Sequence, residues 1–422
     1  MRTCFWTVLA AGLLAGIGTA GVATAGPTVV RVSPAASVES QPVDIRVQGL
    51  APHAHVTVAL RSTDARGYTW VSSASFETDA RGALDLSRSP AGGGSYTGVW
   101  PMGLIAAMRP TRSDPLEEYY WNASEPSVFT VTAAAHGRVV ATTTFRRGLS
   151  AHPLVEDDET VQTAGFFGSY LAPAGTQRHV AVLVFGGSEG GLSTRLLAGQ
   201  LAAAGFPSLA LAYFKEPGLP QTITNVPLEY FENALKWLAA QPQVDPARVA
   251  VLGVSRGSEA ALLLGVHDAS LVHGVIALVP SSVVHCGIVG AAQPGCVDPA
   301  WTLGGKPLPY TKELDNPDPT DVPAAVIPVD EIHAPLLLAC GGIDVTWNSC
   351  GFASAIVRRL DAKPNGARHV LYTYLDAGHS VGELLPYEPG GMAYDTNIPF
   401  DERARESLWP HVLAFLHGLP ST

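Results

Sequence analysis

The stretch VAVLGVSRGSEAAL, Val249 to Leu262, runs apolar until a serine boxed by glycines, Gly253-Val254-Ser255-Arg256-Gly257, and then becomes helix-forming sequence. A strand that stops on G-x-S-x-G and turns at once into a helix holds its serine on a tight elbow, with the hydroxyl pushed above the sheet edge. The helix starting there aims unpaired N–H groups and its positive dipole end at the same point, where an oxyanion forms on an attacked acyl group. The pattern recurs by chance in long chains, so its place between strand and helix carries the reading. A serine hydroxyl is a poor nucleophile until a base takes its proton, which predicts an acid and then a histidine further along.

Two loops meet that order. After the apolar run Pro335 to Cys340 comes Gly341-Gly342-Ile343-Asp344, and after Val370 to Leu375 comes Asp376-Ala377-Gly378-His379, so Asp344 and His379 each sit just past a strand. Asp376 competes as the acid, although a residue three before the histidine in a tight loop suits a local turn contact. His369 falls at the wrong end of its strand, and His411 and His417 lie in the terminal helical segment, where a solvated face is expected. For the oxyanion, Phe185-Gly186-Gly187-Ser188-Glu189-Gly190-Gly191 supplies a glycine-rich turn. A backbone N–H of Gly187 or Ser188 there would pair with that of Arg256, the residue after the nucleophile. The same turn lacks the Lys-Ser/Thr and the G-x-G-x-x-G spacing of a phosphate cradle.

The elements that must position these residues change rhythm along the chain. From Pro27 to about Gly148 the period is two, as where Val43, Ile45 and Val47 alternate with Asp44, Arg46 and Gln48, with further strands at Tyr68 to Thr78, Val128 to Ala133 and Arg138 to Phe145. His136-Gly137 suits a hairpin turn. Short strands of this kind, broken by glycine and proline, predict an antiparallel sandwich resembling an immunoglobulin fold over residues 26–150. After a polar connector around Val155 to Thr163, wholly apolar runs (Val180 to Phe185, Ser208 to Ala212, Val249 to Gly253, Gly274 to Val279) alternate with helical stretches such as Pro227 to Ala240 and Cys350 to Leu360. Strands apolar on both faces and separated by helices belong to a covered parallel sheet, so residues 160–420 are expected to form a doubly wound α/β unit.

Residues 1–25 hold an early Arg2, an apolar stretch and then Ala23-Thr24-Ala25 before Gly26, the layout of a cleavable secretory signal. The apolar run is shorter than the roughly 20 residues of a membrane span. A soluble secreted or periplasmic protein without a stable membrane anchor is expected. Removing Cys4 leaves Cys286, Cys296, Cys340 and Cys350, two pairs each spaced by 10 positions, read as disulfides Cys286–Cys296 and Cys340–Cys350. Zinc-type spacing is absent, and no metal or organic cofactor is expected. The 422 residues carry a net charge of −11 with lysine and arginine spread thinly, which offers no basic stripe for nucleic acid. A small-molecule acyl substrate is the expected partner; the oligomeric state is open.

Taken together, ARGALDLSRSPAGGGSYTGVWPMGLIAAM, FGGSEGG, AGFPSLALAYF, LPQTITNVPLEYFENALKWL, VLGVSRGSE, GGIDVTWNS and AGHS, in this order, resemble the acyl-CoA thioesterases related to bile-acid CoA:amino-acid N-acyltransferase (BAAT). The resemblance implies an α/β-hydrolase catalytic half behind the sandwich. It places the nucleophile on Ser255, the acid on Asp344 and the base on His379. Members that transfer acyl groups to amino acids have cysteine at the nucleophile and hydrolytic members commonly serine, so water is the implied acceptor. Export departs from the family's cytosolic CoA thioesters, which leaves an acyl thioester, an ester or a lactone as the candidate substrate. Acyl transfer, and a non-catalytic carbohydrate-binding role for the sandwich, are the rivals. The proline-rich segment Val283 to Pro328 is expected to wall or cover the acyl pocket.

Overall fold

The structure, a computed structural model, describes residues 27–113, 119–122, 125–287, 298–389 and 398–420. The leader expected at residues 1–25, and Cys296 with the pairing expected for it, lie outside them, as does part of the segment from Val283 to Pro328.

The amino-terminal part is built of two sheets. Val29–Ser33, Asp44–Gln48 and Leu84–Asp85 form one. Ser127–Ala135, His55–Thr63 and Thr69–Glu77 are antiparallel neighbours at the centre of the other, and Arg138–Gly148 pairs with Ser127–Ala135 across a two-residue turn. That turn is His136-Gly137, with φ of 50° and 72°, the left-handed pair that a tight hairpin requires. Alternation does the rest: Val30, Ile45 and Val47 of the small sheet and Val58, Trp70, Phe129 and Phe145 of the large one turn inward into a common apolar core.

The carboxy-terminal part holds an eight-stranded sheet of β1 (Leu154–Glu159), β2 (Phe167–Pro173), β3 (His179–Phe185), β4 (Ser208–Ala212), β5 (Val244–Val254), β6 (Gly274–Leu278), β7 (Leu336–Gly341) and β8 (His369–Tyr374). Their order is β1-β2-β4-β3-β5-β6-β7-β8; β1 and β2 run antiparallel to their neighbours and the rest are parallel. The central strands are buried on both faces. Val182, Leu252, Ile276 and Leu337 face the side covered by α1 (Arg195–Ala203) and α5 (Ile398–His417), while Leu183, Val251, Val275 and Leu338 face α2 (Leu228–Ala239), α3 (Arg256–His267) and α4 (Ser349–Ala362). Each such leucine or valine contributes about 1.5–3 kcal/mol by leaving water, so the sheet is the stiff base on which the loops stand.

The expected polar connector is in fact strand β1 followed by a short helix, Val161–Ala164, and β2 was not expected at all. The reason is position. β1 is an edge strand whose Glu156, Asp157, Asp158 and Glu159 are the charges that keep a sheet edge from pairing with another chain. β2, with Gly168, Ser169 and Tyr170 at its centre, lacks the apolar run of a central strand.

The two parts meet over buried charge. Arg147, fully buried, donates to the carbonyls of Gln41 (2.9 Å), Glu39 and, across the seam, Tyr387 (3.1 Å). Beyond it Arg405 pairs with Glu402 (2.8 Å) and Glu383. The Glu39 carboxyl is buried there without a hydrogen bond among the described residues. Burial pushes it up to about 8 against the pull of Arg147 and Arg405, with Glu402 adding to the rise. Burial likewise pushes Glu383 up to about 7, opposed by Arg405 and helped by Asp401. Both values lie above the ordinary 4.5. Between those limits the folded chain keeps protons that the unfolded chain gives up, so raising the pH favours unfolding. Melting temperature should therefore fall by on the order of a few degrees from pH 5 to pH 9, and Glu39→Gln should flatten that slope. A variant with an unchanged slope would count against the buried proton.

Candidate active site

Ser255 follows β5 and precedes α3 with φ 55° and ψ −119°, a backbone conformation an L-residue adopts only under constraint. The neighbouring glycines make the constraint possible. A Cβ on Gly253 would stand 2.2 Å from the Gly257 carbonyl, and one on Gly257 would stand 2.3 Å from that of Gly186 on the adjacent loop. The Ser255 N–H is held by the Leu278 carbonyl of β6 at 3.0 Å. Strand, turn and helix thus fix the hydroxyl before any substrate arrives.

The histidine and the acid reach it from the two following strands. His379 Nε2 is 3.0 Å from Ser255 Oγ, and His379 Nδ1 is 2.8 Å from Asp344 Oδ2. The Asp344 side chain is almost wholly buried, and its Oδ1 accepts the N–H groups of Thr346 (2.9 Å) and Trp347 (3.3 Å). A carboxylate in that place makes Nδ1 the protonated nitrogen and leaves Nε2 as the acceptor for the serine proton. The competing groups lie elsewhere. Asp376 is exposed, His369 contacts Asp361 (3.1 Å) at the start of β8, His411 stacks on Tyr372 (ring centroids 4.4 Å apart) and His417 packs on Phe206 (4.7 Å).

Arg256 opens α3, so its N–H has no intrahelical acceptor and stands beside Ser255. Gly187 also stands beside Ser255: a Cβ built on it would lie 3.2 Å from Ser255 Oγ. Its N–H, however, is committed to the Glu189 carboxylate at 2.7 Å, which corrects the expectation that Gly187 donates to an oxyanion. Tyr213 Oη donates to the carbonyls of Gly186 (3.0 Å) and Gly187 (2.9 Å), and burial pushes its phenol well above the ordinary value, so it remains a donor. With the Gly187 carbonyl turned toward Tyr213, the trans peptide directs the Ser188 N–H the opposite way. Ser188 N–H takes no acceptor among the described residues, which leaves it and Arg256 N–H as the available pair.

Several supports escaped the sequence reading. Glu189 and Tyr213 set the glycine-rich turn. Trp347 donates from its indole to the Val279 carbonyl (3.1 Å) and stands edge-on to His379 (6.1 Å). Asp401 of α5 holds the N–H of Gly378, the residue before the histidine, at 2.6 Å. A disulfide joins Cys340 to Cys350, with Cα atoms 5.1 Å apart, and so brackets the loop that carries Asp344. A ring this size stabilises by about 2–3 kcal/mol through the unfolded chain. Among the described residues no group of three or more His, Cys, Asp or Glu could hold a metal ion, and no helix is long and apolar enough to cross a membrane.

A strand order of β1-β2-β4-β3-β5-β6-β7-β8 with a serine elbow after β5, an aspartate after β7 and a histidine after β8 makes the carboxy-terminal part an α/β hydrolase. Residues 40–160 match the acyl-CoA thioester hydrolase/BAAT N-terminal region, and residues 226–418 match the BAAT/acyl-CoA thioester hydrolase C-terminal region. The chain belongs to the acyl-CoA thioester hydrolase/BAAT family. It is 31% identical over 408 residues to acyl-coenzyme A thioesterase 1 of Rattus norvegicus, a match covering 89% of this chain and 93% of that one. It is 29% identical over 371 residues to the mitochondrial acyl-coenzyme A thioesterase 2 of Homo sapiens, covering 83% and 73%. Among solved structures, a putative dienelactone hydrolase from Klebsiella pneumoniae aligns with 63% of this chain and 100% of its own at a TM-score of 0.44 and 15% identity.

Proposed function

We propose that this chain hydrolyses acyl thioesters through an acyl-enzyme on Ser255. The observation that carries the reading is the unbroken relay Ser255 Oγ–His379 Nε2–His379 Nδ1–Asp344, at 3.0 and 2.8 Å, in a chain of this family. His379 takes the Ser255 proton as the oxygen attacks the acyl carbonyl. The oxyanion is met by the N–H groups of Arg256 and Ser188. The tetrahedral intermediate then collapses with the His379 proton passing to the leaving sulfur, and Ser255 is left acylated. Water, deprotonated by His379, attacks the acyl-serine and releases the acid. Asp344 keeps the imidazole turned and compensates its transient positive charge.

The leader pattern and the Cys340–Cys350 disulfide support work outside the cytosol, because disulfides persist in oxidising compartments. There the substrate would be an acyl thioester or ester met outside the cell's CoA pool. Two measurements test the reading together. A fluorophosphonate should label the purified protein once, at Ser255. A panel of acyl-CoA, acyl-N-acetylcysteamine, p-nitrophenyl esters and lactones, run with and without an amine acceptor, should show thioester cleavage with free acid as the product. Turnover of esters or lactones alone would replace thioester with ester hydrolysis, and an amide product would replace hydrolysis with acyl transfer.

A further inference from the structure

Glu259 lies in the first turn of α3, on the helix that begins at Ser255, and its side chain is completely buried. Its carboxylate is surrounded by donors. Oε1 accepts Arg256 Nη1 (2.8 Å) and His285 Nδ1 (2.8 Å); Oε2 accepts Trp301 Nε1 (2.9 Å) and the backbone N–H of His285 (3.3 Å). A long cation beside a nucleophile would ordinarily extend its head toward water. Here the Arg256 guanidinium is drawn inward instead, where Nη2 also donates to the carbonyls of His285 (3.3 Å) and Cys286 (2.9 Å). The site is presented with the Arg256 backbone N–H and not with its charge.

The second contact of Glu259 leads to the other side of the relay. His285 stacks on Trp347, ring centroids 5.3 Å apart at 25°, and its Nε2 faces the Leu314 carbonyl at 3.1 Å. Trp347 is the residue whose N–H holds Asp344 Oδ1 and whose ring edge meets His379. One buried carboxylate therefore abuts, through a single side chain on one side and two on the other, both the oxyanion donor and the loop of the acid.

We propose that Glu259 is a positioning residue for the hydrolytic reaction, fixing the direction of the Arg256 N–H and, through His285 and Trp347, the seat of Asp344. This rests on Ser255 being the nucleophile. Glu259 touches no reacting atom, and its effect is geometric: displacing a reacting or stabilising group by about 1 Å costs on the order of 100-fold in rate. The oxyanion that the Arg256 N–H meets forms only once Ser255 has attacked, so the loss falls on kcat and not on KM.

Glu259→Gln keeps the shape of the side chain but turns one oxygen into a donor facing donors. Turnover should be expressed per active site titrated with a fluorophosphonate, which separates misplaced sites from lost protein. The expected result is a kcat per titrated site lowered about 30- to 100-fold with KM within about twofold of the parent. A per-site kcat within about twofold of the parent would overturn the proposal, since a merely structural role lowers the titrated fraction and leaves the sites that remain fully active. Trp301→Phe removes one donor and leaves the carboxylate in place. It should give the same pattern at about 3- to 10-fold, and it decides the matter if the glutamine variant does not fold. Ser255→Ala, run alongside, separates the two readings: full activity there would sink the nucleophile assignment, whereas an inactive Ser255→Ala with an unaffected Glu259→Gln sinks only the positioning role.

Discussion

Ser255→Ala should lower kcat by about 10⁴- to 10⁶-fold while leaving the fold intact. Only the hydroxyl is lost. The backbone conformation at φ 55° is held by the approach of Gly257 to Gly186, by the strand before it and by the bond from its own N–H to Leu278, none of which involves Oγ. Melting temperature is therefore expected to stay close to that of the parent, and to rise slightly if the hydroxyl is part of the elbow's strain. What survives is the contribution of substrate binding and of the Arg256 and Ser188 N–H groups, enough to keep turnover above the uncatalysed rate. The check is kcat on the best substrate of the panel, with fluorophosphonate labelling on the same preparation. An alanine variant that keeps more than about a hundredth of the parent kcat, or is still labelled, removes Ser255 from the mechanism.

Much of the framework that carries this residue is legible in the chain, for a local reason. β3, β4, β6, β7 and the second half of β5 are short runs buried on both faces, β8 is a half-buried edge run, and all but β6 are followed by helical periodicity, so a covered parallel sheet can be read without any distant contact. Ser255, Asp344 and His379 are legible for the same reason, since each lies immediately past such a strand. Where the signal is not local, the reading fails. β1 looks like a connector because an acidic edge strand resembles a solvated loop until its neighbour is known, and β2 gives no strand signal because Gly168, Ser169 and Pro173 interrupt its apolar residues. Gly187 looks like a free donor because nothing in FGGSEGG says that Glu189 folds back onto it, at 2.7 Å. A clue to Glu259 was present: Arg256 and Glu259, three apart in a helix otherwise rich in alanine and leucine, are charges with no solvated face to occupy. Their partners, His285 and Trp301, lie 26 and 42 residues beyond Glu259, and only the fold brings them together.

His379→Ala should be as damaging as the loss of the nucleophile, about 10⁴- to 10⁶-fold in kcat, because one imidazole serves both halves of the reaction. Without it the Ser255 proton has no acceptor at 3.0 Å, the leaving group has no proton donor, and the attacking water has no base. The Asp344 carboxylate cannot substitute, since it faces Nδ1, on the far side of the ring from Ser255. The informative measurement is the double variant. If Ser255 and His379 form one relay, removing either leaves nothing for the other to do, and Ser255→Ala combined with His379→Ala should fall within about threefold of the weaker single variant. Independent roles would instead multiply the two losses. Multiplied losses, with both single variants folded and melting like the parent, would show that the serine reacts without this histidine, and the 3.0 Å contact would then be a resting arrangement with no part in the chemistry.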